Sequence, residues 1–103
     1  MKSAHITAEV TFRPHSQGGL PAMPVGSGFA PYLRTDLVPD ELAVRVEDVP
    51  GDARFGEPVQ VKLELSYHPD LDYGPLREGV RFVLILGSKT VAEGVCTSPI
   101  VAN

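Results

Sequence analysis

Alternation of apolar and polar residues with a period of two recurs along most of this chain, and it restricts the backbone to short, half-buried strands. The pattern is cleanest at Val59-Gln-Val-Lys-Leu-Glu-Leu65, where Val59, Val61, Leu63 and Leu65 alternate with Gln60, Lys62, Glu64 and Ser66. Over residues 4–12 it sets Ile6, Ala8, Val10 and Phe12 against His5, Thr7, Glu9 and Thr11, and it returns with Leu42, Val44 and Val46 before Val49-Pro-Gly-Asp52 breaks it with turn residues. Three more strands are read at about 29–36, 80–86 and 90–98, the last two joined by a tight turn over Gly87-Ser-Lys89. Apolar residues never recur at i, i+3, i+4, i+7 for more than a turn, so no helix longer than about two turns is expected.

Between the strands lie two long breaks. Residues 13–28 carry three Pro and four Gly, and residues 67–79 contain Pro69, Gly74, Pro75 and Gly79, so both segments read as surface loops. Six short strands are too few to cover two separate sheets, and they are best satisfied by an all-β, six-stranded antiparallel barrel of Greek-key type. At 103 residues the chain makes one domain, 1–103, with no internal repeat.

Composition narrows the function. Thirteen acidic against nine basic residues give a net charge of −4, the wrong sign for a protein that holds nucleic acid by its phosphates. The longest apolar stretch, Phe82-Val-Leu-Ile-Leu86, is five residues, well below the roughly 20 that a membrane helix needs. Met1-Lys-Ser-Ala-His5 runs straight into the first strand without the apolar stretch of a secretory signal, and one cysteine, Cys96, permits no internal disulfide. Both features suit a reducing cytoplasm.

The last third carries a dense motif: Leu76-Arg-Glu-Gly-Val-Arg-Phe82, then Gly87-Ser-Lys-Thr-Val91, then Gly94-Val-Cys-Thr97. It resembles the C-terminal barrel, domain 3, of the elongation factor Tu family, whose pattern runs L-x-E-G-x-R-F, four residues, then G-[GS]-[RK]-T-V-x-x-G-V-x-T. Further matches follow in the same order upstream: Ala8-Glu-Val10, Gly18-Gly19, Pro24, Ser27-Gly-Phe29 with Pro31, Arg34-Thr-Asp36, Gly56 with Val59, and Glu64-Leu65. The resemblance spans about residues 6–98 and implies a β-barrel related to a translation factor. Much of the motif also has a structural role: Gly79 and Gly87 suit turns, Gly94 a bulge or close strand approach, and Phe82 and Val95 a core.

The family's other parts are missing from this sequence. No Gly-rich loop is followed by Lys-Ser or Lys-Thr, so the phosphate cradle of a GTPase is lacking. The resemblance implies contact with the T-stem of tRNA, yet where the family places Arg-His-Thr after the Gly-Gly pair this chain has Leu20-Pro-Ala22, and Leu86 replaces the acidic residue of the hairpin turn. An acidic chain offers few phosphate contacts, so tRNA binding is expected to be weak and strongly salt-dependent. The cations that the motif brings toward one hairpin, Arg77, Arg81 and Lys89 beside Gly87, are the candidate RNA contacts.

Candidates for catalysis are sparse. Cys96 has only Val95 and Thr97 beside it and reads as inert packing, and Ser16, Ser27 and His15 lack the elbow and ordered acid of a triad. His68, Asp70 and Asp72 fall together in a loop, but a calcium loop needs more carboxylates and a closing Glu, so they read as a solvated or partner-contacting segment. No catalytic residue, cofactor or metal site is assigned.

The apolar loop Leu20-Pro-Ala-Met-Pro-Val25, with Phe29 and Tyr32 downstream and Tyr67, His68 and Tyr73 in the second loop, marks a candidate protein interface or a surface for self-association. The chain is therefore expected to be a non-catalytic binding module for a protein partner, with a tRNA-binding accessory as the alternative. Lacking the phosphate cradle, it is expected to show no heat of binding when titrated with GTP in a calorimeter, and a micromolar constant would contradict this.

Overall fold

A computed structural model describes residues 4–26, 28–37, 41–67 and 73–102. Seven strands are present among them: β1 (Ala4–Phe12), β2 (Tyr32–Arg34), β3 (Leu42–Glu47), β4 (Val59–Leu65), β5 (Arg81–Leu86), β6 (Lys89–Cys96) and β7 (Val101–Ala102). The helical content is a single 3-10 turn, His15–Gln17. The strands pair antiparallel in the order β4-β3-β2-β5-β6-β1-β7, and a further pairing of β4 with β1 closes six of them into a barrel. The all-β, six-stranded antiparallel barrel expected from the alternation is the observed fold.

The alternation becomes the core directly. Register places Ile6 opposite Leu63 and Ala8 opposite Val61, and Val44 opposite Leu65 and Val46 opposite Leu63. These side chains point inward and, with Val10, Phe12, Leu33, Phe82 and Leu84, form one continuous apolar cluster. Fully burying each large aliphatic side chain contributes about 1.5–3 kcal/mol, which makes this cluster the main source of stability.

Two strand readings change. The segment read as a strand over 29–36 shortens to Tyr32–Arg34 because Pro31 lacks an N–H for the ladder. The preceding chain still follows β3, since Val46 N–H donates to the Phe29 carbonyl (2.7 Å) and Gly26 and Val49 exchange two bonds of 3.0 Å. At the far end, β7 adds two residues to the start of β1, Ala4 opposite Ala102 and His5 opposite Val101.

The β5–β6 hairpin turns on two residues, Gly87 and Ser88. Gly87 has φ 64°, and Asp48 is the one non-glycine with positive φ among the described residues, which is the pattern of a II′ turn. Six residues along β6, Gly94 lies opposite Phe82. A Cβ on Gly94 would stand 2.8 Å from the Glu9 carbonyl oxygen and 2.8 Å from Cζ of Phe82. The Phe82 ring thus fills the space a side chain would take. Gly94→Val is expected to cost about 1–3 kcal/mol through overpacking, seen as an earlier urea midpoint at unchanged slope. An unchanged midpoint would mean that strand and ring yield freely.

Candidate functional site

Closure sets a grid of outward-facing side chains across four neighbouring strands. On β1 and β6, Glu9 is opposite Val95 and Thr11 opposite Glu93; Val95 and Glu93 are in turn opposite Arg81 and Val83 of β5; and Val83 is opposite Arg34 of β2. The ladder between β2 and β5 ends there, and Thr35 and Asp36 turn away. Where they part, the grid opens into a groove of about 400 Å³, lined by these residues together with Thr35, Asp36, Phe82 and Gly94. A second hollow, over Asp52 to Val59, is built from one stretch of loop, whereas the groove draws on four elements.

The groove has two chemically different walls over an apolar floor. Val83 and Val95, both half-buried, form the floor. Glu9 and Glu93 stand on the β1–β6 side, and Arg81 and Arg34 on the β5–β2 side with Asp36 beside Arg34. Strand spacing puts each acid about 10 Å from the arginine in its row, measured between backbones. Arg34 is engaged by Glu41 at 2.6 Å, and Glu93 meets Arg13 at 3.7 Å. Glu9, Asp36 and Arg81 make no ion pair among the described residues.

The candidate interface residues do not form one surface patch, although Tyr32, Tyr67 and Tyr73 meet around Ala43. Val25, Tyr32 and Tyr67 are about half-exposed, whereas Met23 and Phe29 are partly buried against the core, with the Phe29 ring 6.5 Å from that of Phe12. Two members of the set are core residues instead. Leu20 is 7% exposed, drawn inward because its N–H donates to the Arg13 carbonyl (3.0 Å) and folds the loop back. Tyr73 is 1% exposed, and its hydroxyl donates to the Ala43 carbonyl (2.7 Å) while accepting from the Tyr67 N–H (3.1 Å). Burial raises the Tyr73 phenol above its ordinary pKa, and the hydrogen bond from Tyr67 partly offsets this. His68, Asp70 and Asp72 lie outside the described residues. Gly26, next to Val25, bridges Val49 beyond one end of β3, while Tyr32 pairs with Ala43 near its other end.

Nor do the cations of the hairpin form a strip. Arg81 pairs with Val95 at the open end of the hairpin, and Lys89 pairs with Leu86 beside the Gly87 turn. Five steps along β5 separate these ends by about 17 Å, too far apart for the two cations to form one strip. Arg77 is exposed in the turn before β5, where its carbonyl accepts from the Val80 N–H (3.0 Å).

No protein-family model matches the chain, and no curated protein matches it in sequence. Among the described residues no three of His, Cys, Asp and Glu gather as a metal site, and no helix is long and apolar enough to cross a membrane. Cys96 is 1% exposed, and burial lifts its thiol from 9.0 to about 11. The thiol therefore resists deprotonation while the chain is folded. Because the unfolded chain loses this proton first, stability falls as pH rises from about 9 and the fall levels off near 11. Urea midpoints measured across that range are expected to fall less steeply for Cys96→Ala than for the wild type, and equal slopes would contradict the burial of the thiol.

Proposed function

We propose that this chain is a non-catalytic binding module, a protein-interaction domain related to domain 3 of the elongation factor Tu family, which holds part of a partner protein in the groove over β1, β6, β5 and β2. One observation carries this reading. Eight of the eleven lining residues belong to the collinear segments that resemble the family: Glu9, Arg34-Thr-Asp36, Arg81-Phe82 and Gly94-Val95. Segments far apart in sequence thus converge on one surface. Its mixture of charges over valines is the chemistry of a protein contact, with polar groups around an apolar centre.

RNA contact draws less support. Arg81 and Lys89 stand at opposite ends of the hairpin, and the groove itself carries Glu9, Asp36 and Glu93 against two arginines. Phosphate binding needs a continuous positive face. The same reading places the module in the reducing cytoplasm, where its one thiol stays buried.

Photo-crosslinking tests the reading. A benzophenone side chain introduced at Val83 or at Val95 and irradiated in lysate of the source cell is expected to give a discrete protein adduct that the same group at Lys89 does not. Adducts to RNA alone, or the same products from all three positions, would overturn it.

A further inference from the structure

One row across the groove sets Glu9 at one end and Arg81 at the other with Val95 between them, and neither charge has an ion-pair partner among the described residues, which limits what fits there. Resting on the protein-binding reading above, we infer that the groove selects a peptide segment carrying a cationic and an anionic side chain on either side of an apolar one. The cation sits against Glu9, the apolar side chain on Val83 and Val95, and the carboxylate against Arg81.

Charge complementarity argues for this occupant. Glu9 and Glu93 are diagonal neighbours on β1 and β6, with backbones about 7–8 Å apart; Arg13 engages Glu93 at 3.7 Å, which leaves Glu9 as the acid without a counter-charge among the described residues. Arg81 lies two strands from Glu9, about 10 Å away, too far for the pair to neutralise each other without reaching across the floor. In an extended segment, side chains at i, i+2 and i+4 share one face and span about 13 Å. A basic, an apolar and an acidic residue at those positions therefore reach from one wall to the other. A uniformly charged segment would satisfy one end of the row and be repelled by the other.

Titration of the intact, isotope-labelled protein with three capped pentapeptides, followed by NMR, tests the inference. The peptides are Lys-Thr-Val-Thr-Glu, Lys-Thr-Val-Thr-Lys and Glu-Thr-Val-Thr-Glu. The first is expected to shift the amide signals of Val83, Val95 and Thr35 and to bind at least tenfold more tightly than the other two. Arg81→Glu, at an exposed position whose loss leaves the core intact, is expected to reverse the order in favour of the doubly basic peptide. Equal binding by all three peptides, binding that leaves Val83 and Val95 unmoved, or an order unchanged by Arg81→Glu would each overturn the assignment. If crosslinks from Val83 still capture a protein while the peptides bind alike, the charge rule fails and the binding reading stands. If neither crosslinks nor peptides engage the groove, both fail.

Discussion

β1 is hydrogen-bonded along both edges, to β4 on one side and to β6 and β7 on the other. The rest of the architecture depends on this. Without it the remaining strands would form an open sheet with two bare edges, each a template for pairing with another chain. With it, Ile6, Ala8, Val10 and Phe12 are sealed inside at 0% exposure, and each strand's stagger against the next is fixed. That stagger sets Glu9, Val95 and Arg81 in one row and Thr11, Glu93, Val83 and Arg34 in the next.

What was legible in the sequence was whatever has a period. The alternation over Val59–Leu65 is the strand β4, and Gly87 marks the hairpin. Segments without a period were misread for particular reasons. Pro31 interrupts one ladder while its carbonyl still accepts from Val44 N–H, so a segment that looks like a strand is only partly one. β7 is two residues long, too short for any pattern. Leu20 and Tyr73 sit in loops, and a loop sequence carries no sign of which side chain turns inward; for Tyr73 the deciding partner is the Ala43 carbonyl, thirty residues away.

The site was legible in its parts and not as a place. Each segment of the family-like pattern could be picked out, but their meeting depends on register between strands distant in sequence. The hairpin shows the difficulty at short range. Arg81 and Lys89 belong to one motif, yet antiparallel pairing joins residues equally distant from the turn, and Arg81 stands at one end while Lys89 stands at the other. Gly94 was the exception, since a glycine inside a strand signals a close approach wherever the partner comes from, and here the partner is Phe82.

The brevity of β2 has a consequence of its own. Tyr32–Arg34 pairs with β3 at only Tyr32 and Leu33, and with β5 over three residues, while most other junctions of the barrel are longer. β2 is thus the seam of the barrel, the stave held by the fewest hoops. Local opening in folded proteins begins where backbone bonds are fewest and nearest water. The groove lies across this seam, with Arg34 on one side and Arg81 on the other. A segment seated there bridges β2 and β5 and tightens the join, so occupancy and the integrity of the barrel are coupled: whatever binds the closed form also holds it closed.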